Sequence, residues 1–287
     1  MAKGRELKSR IKTVENTRKI TRTMEMVATS KMKRASDRVA AARPYATALG
    51  EVMENLYSPE LAERFPLLRQ PERVRRAAVV LLTSNRGLAG AFNANLIREA
   101  RNLVARLERE GTQVVLHVVG RKGLGYFRYV GREVARSRTD LGDRPTAADA
   151  ADLVDALMGE FVAGTLDAVY VVYARFVSAL STPPVSERVL PVARPERKPG
   201  AARRDYILAP SAEAILEELL PLYVRNSVYR ALVETAAGEH GARRTAMKNA
   251  TDNASDMLKS LRRTYNRARQ AQITQEIAEI VGGAAAL

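Results

Sequence analysis

Residues 246–286 read AMKNATDNASDMLKSLRRTYNRARQAQITQEIAEIVGGAAA, and their pattern decides the fold. Proline is absent, and the only glycines, Gly282 and Gly283, stand near the end. Small or apolar residues recur at Met247, Ala250, Ala254, Met257, Leu261 and Ala268, at spacings of three, four or seven. That is the period of a helix offering one narrow seam to a partner helix. After Ala271 the apolar positions move to Ile273, Ile277, Ile280 and Ala284, a different face, so the apolar surface wraps around the tip. Such a tip expects an apolar socket, in its own chain or in another.

The partner for the seam lies at the other end of the chain. A seven-residue repeat runs through Leu7, Val14, Thr21, Ala28, Ala35, Ala42, Leu49 and Leu56, with companions Ile11, Arg18, Glu25, Met32, Val39, Ala46 and Met53. Twelve of these fifteen positions are apolar, the exceptions being Thr21, Arg18 and Glu25. A score of that kind over seven heptads favours a long coiled-coil helix over an ordinary globular one. Around the polar interruption Ile20, Met24 and Val27 form a second stripe, which predicts that this stretch faces something besides its partner helix. The alanine-rich seam lets two backbones approach closely, and strict heptads impose a left-handed supercoil. Pro44 lacks an amide donor and is expected to kink the helix, since the repeat continues beyond it in register.

Composition bounds the remaining possibilities. The 287 residues suffice for one or two domains, and 46% are apolar, enough for a core. Aromatic residues make up only 5% and Trp is absent, which suits long helices. With no Cys there is neither a disulfide nor a thiolate metal site, and His117 and His240 are too few for a histidine cluster. His117 lies in the apolar run VVLHVVG and is expected to be a satisfied core residue. No apolar stretch approaches the ~20 residues needed to cross a bilayer. The opening MAKGRELKSRIK lacks the apolar segment of a signal peptide, and heptads begin at Leu7, so it reads as mature structure of a soluble protein.

The net charge of +15 calls for a partner. Residues 1–43 hold thirteen Lys and Arg against four Asp and Glu, and residues 239–276 hold eight against four. A basic rod can contact phosphates or dock against an acidic protein. Aromatic residues are not interleaved for base stacking, and neither end has the dense basic region of a forked zipper, so nucleic acid is the weaker reading.

Between the helices the chain changes character. AAVVLLT (Ala77–Thr83) is a buried-strand pattern, followed by SNRGLAG and a helical run FNANLIREARNLVARLEREG. Val114–Val119 and Ala168–Tyr173 predict further strands, Glu133–Arg138 a weak edge strand, and Arg175–Val192 more extended chain. Residues 123–129 and Ala147–Ala163 predict helices. Strands alternating with helices imply a largely parallel sheet covered by helices, an α/β domain of Rossmann-like type. The expected division is a helix over residues 1–58, an α/β domain over 75–192, a Pro- and Arg-rich connector over 193–209, and a second long helix over 210–287.

The loop Ser84–Gly90 follows a strand and opens a helix, where amides and the helix dipole can hold a phosphate. It lacks the third glycine of a dinucleotide fingerprint, and no GKS or GKT follows. A tight turn is the plainer reading. No Ser/His/Asp set or carboxylate pair has catalytic spacing, so no catalytic, cofactor or metal residues are assigned.

Three stretches carry a family resemblance: ENTRKITRTMEMVATSKMKRA near the start, SNRGLAGAFNANL in the centre, and AMKNATDN with YNRARQAQITQEIAEIVGGAAA at the end. Together they resemble the gamma subunit of F-type ATP synthases, collinearly over nearly the whole chain. The resemblance implies an antiparallel coiled coil of the terminal helices, with seam residues Leu7, Ile11, Val14, Ala28, Ala35, Ala42, Ala250, Ala254, Met257, Leu261 and Ala268. It implies a non-catalytic central shaft inside a hexamer of alpha and beta subunits, with the α/β domain at its foot beside the epsilon subunit and above the c-subunit ring. Met24, Val27, Lys31, Arg243, Arg269, Gln270, Thr274, Glu276 and Ile277 are then contacts with the hexamer. Asn85 stands where the family usually has Asp, Ala89 where many members have Cys, and Arg244 where Met is common. The cysteine-bearing insertion of chloroplast forms is missing, so the resemblance is to bacterial forms at the cytoplasmic side of the cell membrane. A nucleotide-binding switch using the Gly87–Gly90 loop, with basic helices as output arms, stays open as the alternative.

Overall fold

The computed structural model describes residues 2–56, 64–193 and 211–285. The expected connector at 193–209 therefore lies, but for Ala193, outside the described residues. The chain forms two compact units, one from residues up to Thr29 together with those from Arg243 onward, the other from Ser30 to Ala242. Helix α1 (Ala2–Leu56) and helix α5 (Ala212–Ala285) each contribute to both. Pro44 and Pro221 lie within these helices, which continue on either side of them.

The larger unit is built on a five-stranded sheet of β1 (Arg76–Leu82), β2 (Gln113–Val119), β3 (Arg136–Arg138), β4 (Ala168–Ala174) and β5 (Pro184–Leu190). The spatial order is β3-β2-β1-β4-β5. Pairs β1–β2, β2–β3 and β1–β4 are parallel, while β5 runs antiparallel to β4 at one edge. Helices α2 (Phe92–Arg109), α3 (Arg121–Tyr129) and α4 (Ala147–Val162) connect the strands. The α4 start is set locally, because Thr146 and Asp149 form a reciprocal capping box. Every residue of β1 except Arg76 is buried, as a strand covered on both faces requires.

Alternation along β1 divides its residues between two cores. Ala78, Val80 and Leu82 join α4 through Leu153, Leu157 and Phe161, and α5 through Leu216, Leu220, Val224 and Val228, with Met53 and Leu56 of α1. Ala77, Val79 and Leu81 face the other way, toward Leu96, Ala100 and Leu103 of α2 and Phe127 of α3. A third cluster places Phe176, from the β4–β5 connection, among Ala35 and Val39 of α1 and Val233 and Ala237 of α5. The edge strand expected over Glu133–Arg138 is shorter, three residues. His117 is half-buried in β2 rather than enclosed in the core. Burial lowers its pKa, opposed by Glu160 and reinforced by Arg136, so the imidazole is held neutral.

The smaller unit is a pair of helical segments. Thr251 bonds Thr21, and Arg262 pairs with Glu15, so residue numbers rise along one helix as they fall along the other, an antiparallel arrangement. Along α1, Leu7, Ile11 and Val14 are half-buried and Thr21 and Ala28 buried. On α5 the covered residues are Met247, Thr251, Ala254, Leu258, Leu261, Tyr265, Ala268 and Gln272, an unbroken alternation of four and three. Here the expected seam needs correction. Met257 is 54% exposed while its neighbour Leu258 is 3% exposed. The apolar residues alone fit either choice; the polar Thr251, Tyr265 and Gln272 complete the register that excludes Met257. Ala250 flanks this seam, half-buried.

Candidate functional site

The carboxyl ends of the strands are where an open α/β sheet offers a ligand crevice. A cavity of about 390 Å³ lies there, lined by Thr83, Ser84, Asn85, Arg86, Gly120, Arg121 and the loop after β3, and roofed by Leu232, Thr235, Ala236 and Glu239 of α5. Phosphate recognition at this place needs amides at the first turn of a helix. In α3 those amides are already engaged. Arg121 N–H donates to Asn85 Oδ1 at 3.0 Å, Lys122 N–H to Ser84 O at 3.1 Å, and Gly123 N–H to Thr83 Oγ1 at 3.0 Å. Asn85 Nδ2–H also donates to Leu141 O at 2.8 Å, tying three loops together.

The Ser84–Gly90 loop is similarly closed on itself. Ser84 N–H donates to Asn93 Oδ1 at 3.0 Å, and Asn93 Nδ2–H donates to Ser84 Oγ at 2.8 Å. Leu88 and Gly90 carry φ of 61° and 57°, the geometry of a tight turn. Gly120, at φ 96°, is required for a different reason: a Cβ there would stand 2.2 Å from Thr83 O. The crevice is thus bordered by loops tied to one another, and the first amides of α3 are not left for a phosphate.

A second junction joins β4, β5 and α5. Glu187 accepts from Tyr173 Oη–H at 2.7 Å and from Arg230 Nη2–H at 3.0 Å. Burial, then the bond to Glu187, pushes the Tyr173 phenol up to about 12. Glu234, 8% exposed, accepts from Phe176 N–H at 2.9 Å. Burial raises its pKa, against the opposing pull of the Phe176 amide and Arg230. These polar groups fix the β4–β5 connection on α5; neither they nor any described group of His, Asp and Glu forms a metal-binding cluster.

The residues assigned to a partner lie elsewhere and separate into three sets. Met24, Val27 and Lys31 share one face of α1 by their spacing. Val27 is 51% exposed, with Ile20 and Met26 also exposed nearby, whereas Met24 is half-covered. Lys31 is committed within the larger unit, where its ammonium pairs with Asp143. Arg243 is half-buried and has its own interactions within the chain. Arg269, Gln270, Thr274, Glu276 and Ile277 are all exposed on the last turns of α5. Among them, Gln270 and Glu276 accept only local bonds, from Thr274 Oγ1–H and Gln272 Nε2–H, both at 2.9 Å. Ile273, Ile277, Ile280 and Val281 are 46%, 56%, 71% and 62% exposed. Four large aliphatic side chains facing water within nine residues form an apolar patch of the kind that marks an interaction surface.

A family model for ATP synthase matches residues 3–287. The ATP synthase gamma chain of Gemmatimonas aurantiaca is 70% identical over 288 aligned residues, covering 100% of this chain and 99% of that one. The chain belongs to the ATP synthase gamma family. The gamma chain of Moorella thermoacetica is 48% identical, with each chain covered completely. Among solved structures, the central stalk and c-ring of the Tetrahymena thermophila mitochondrial ATP synthase matches with a TM-score of 0.62 at 25% identity, covering 80% of this chain and 99% of that one. A chain of the Euglena gracilis mitochondrial ATP synthase rotor matches with a TM-score of 0.67 at 19% identity, covering 95% and 99%, and shares the fold. Within this gamma-family frame, sequence reasoning missed Asp143 and Glu234, and it missed Thr251 because a search by apolar residues passes over a polar seam position. Only the polar gap at Thr21 in the heptads gave a signal, because a buried hydroxyl in a seam needs a partner.

Proposed function

We propose that this chain is the central rotor shaft of a bacterial F-type ATP synthase. It couples ion-driven rotation of a c-subunit ring to conformational change in an alpha/beta hexamer and supplies no catalytic group. The observation that carries the reading is the tip of α5, where family membership over the full chain coincides with an exposed run of aliphatic residues that needs a socket in another chain. The alpha and beta subunits are its partners at Val27, Met24 and the tip, and the epsilon subunit and c ring are its partners at the α/β unit. No described helix is long and apolar enough to cross a membrane, and the ring supplies the attachment on the cytoplasmic face of the cell membrane.

The physics of the coupling is differential contact. The faces of α1 and α5 differ in charge and apolarity around their circumference, so a beta subunit meets a different surface at each angle. Rotation biases its open or closed state only by the difference in contact free energy between the two states. The basic side chains of α1 complement an acidic partner surface and steer it without fixing one geometry.

The test is to assemble the chain with its alpha and beta subunits and cross-link the α/β unit to the stator through an engineered disulfide. Multisite ATP turnover is expected to stop and to return on reduction. Full steady-state turnover with the cross-link formed quantitatively refutes the rotor reading. Calorimetry of the purified chain with ATP is expected to show no binding, since the Ser84–Gly90 loop has neither the third glycine of a dinucleotide fingerprint nor a following GKS or GKT.

A further inference from the structure

We propose that Asp143 is a latch that holds α1, α5 and the sheet together so that all three turn as one body. The proposal rests on the rotor reading above and names a positioning residue within it. Asp143 sits on the loop between β3 and α4. Its carboxylate pairs with Lys31 Nζ of α1, and its backbone carbonyl accepts from Arg38 Nη1–H of the same helix at 3.3 Å. Its other carboxylate oxygen lies 3.8 Å from Nε2 of His240 on α5, a side chain only 2% exposed. One loop residue therefore engages both long helices.

Position along the helices makes this juncture mechanically important. Lys31 and His240 lie within two residues of Ser30 and Ala242, where α1 and α5 pass from the larger unit into the smaller. On the neighbouring flank, Phe176 is held between Ala35 and Val39 of α1 and Val233 and Ala237 of α5. Gly241 permits the approach of the same connection, since a Cβ there would lie 3.1 Å from Ala179 O. Small apolar contacts of that kind hold helices together but resist sliding and twisting weakly, because dispersion is non-directional. The bonds from Lys31 and Arg38 of α1 are directional, and His240 of α5 stands beside the same carboxylate at 3.8 Å, an ion pair when the imidazole is protonated. The carboxylate is 43% exposed, so screening limits the energy of each pair. Its value lies in the convergence of Lys31, Arg38 and His240 on one residue. Burial disfavours the charge, yet Lys31, His240 and Arg86 together outweigh it and lower the pKa, so the latch is charged at neutral pH.

The test uses the assembled complex with a probe fixed to the α/β unit while the hexamer is stalled without ATP. The width of the probe's angular fluctuations reports torsional stiffness. Asp143→Ala should leave ATP hydrolysis intact and widen the angular variance by roughly twofold, because α1 and α5 lose the side chain they shared and only the Arg38 bond to the backbone carbonyl remains. Asp143→Glu should restore most of the stiffness. Unchanged variance in an assembled Asp143→Ala complex overturns the proposal, as does a lower melting temperature without a change in variance. If Asp143→Ala does not assemble, Asp143→Asn, which keeps the shape and removes the charge, carries the same comparison. A wild-type complex that never rotates sinks the rotor reading; a rotating wild type with an equally stiff variant sinks only the latch.

Discussion

Truncating Leu258 and Met257 to alanine, one at a time, tests which face of α5 meets α1. The residues are neighbours in sequence and similar in apolarity, but Leu258 is 3% exposed and Met257 54%. Burying a leucine and then removing it costs ~2–5 kcal/mol, the spread reflecting how far the site collapses. The seam around Leu258 is only two helices thick and lined by small neighbours such as Ala254, so it can close partly; the lower part of the range, about 2–3 kcal/mol, applies. An exposed side chain such as Met257 contributes within ~0.5 kcal/mol. With a slope of ~2 kcal/mol per molar urea, Leu258→Ala lowers the midpoint by about 1 M and Met257→Ala by a few tenths at most. Equilibrium unfolding of the purified chain, followed by far-ultraviolet circular dichroism, separates these outcomes. Equal shifts, or a larger one for Met257→Ala, would place the seam on the other register and refute the packing described.

Other consequences are equally open to measurement. Thr21 and Thr251 each keep a backbone partner, Arg18 O at 3.1 Å and Met247 O at 2.8 Å, so each single change to Val costs only ~1 kcal/mol, with a coupling of ~0.5–1 kcal/mol in a double-mutant cycle; zero coupling would deny the bond between them. Gly120→Ala forces a Cβ onto Thr83 O at a positive φ and is expected to lose more than ~3 kcal/mol or fail to fold, while near-neutrality contradicts the loop packing. Glu234 has a raised pKa through burial, so the ionised form is the disfavoured one in the folded chain. Its contribution to stability is fullest below the unfolded carboxylate pKa of ~4.3 and declines as pH rises through the folded value. Glu234→Gln should therefore gain stability relative to wild type as pH rises from about 4 toward neutrality; a difference flat in pH removes the buried charge from the explanation. Met24→Lys places a charge on the half-covered stripe beside Val27 and should lower the number of protons pumped per ATP more than it lowers assembly; an unchanged ratio rules out that contact.

How legible the fold was in the sequence depended on whether apolar pattern alone fixed each element. Strand β1 was readable because a strand covered on both faces is an uninterrupted apolar run, and AAVVLL is one. The α1 heptads were readable because one seam persists for the whole helix. On α5 the same method chose Met257, since Ala250, Ala254, Met257 and Leu261 also alternate by four and three. Polar Thr251, Tyr265 and Gln272 sit in the true seam, and an apolar search passes over them. Strand β5 was vague because Ser186, Glu187 and Arg188 are polar, and their partners Tyr173 and Arg230 are remote in sequence. Asp143 left no trace at all: its meaning arises only when a loop is carried between Lys31 and His240.

The strongest argument for a function outside the chain comes from one helix that passes through three environments. From Leu216 to Gly241, α5 is covered on several sides, with Ala231 to Thr235 consecutively buried, as befits a helix packed against a sheet and a second helix. From Met247 to Gln272 coverage narrows to one stripe, the single seam of a two-helix pair with Ala250 and Ser255 half-buried on its flank. Beyond Gln272 every residue described is exposed, yet aliphatic side chains continue at Ile273, Ile277, Ile280 and Val281. A helix that merely ended in water would turn polar where its partner stops, because each exposed aliphatic residue leaves apolar surface in water without return. The aliphatic content persists past the last covered position. The residue pattern of the tip therefore matches a socket that this chain does not provide among its described residues, and the same holds for Ile20 and Val27, exposed one above the other on α1.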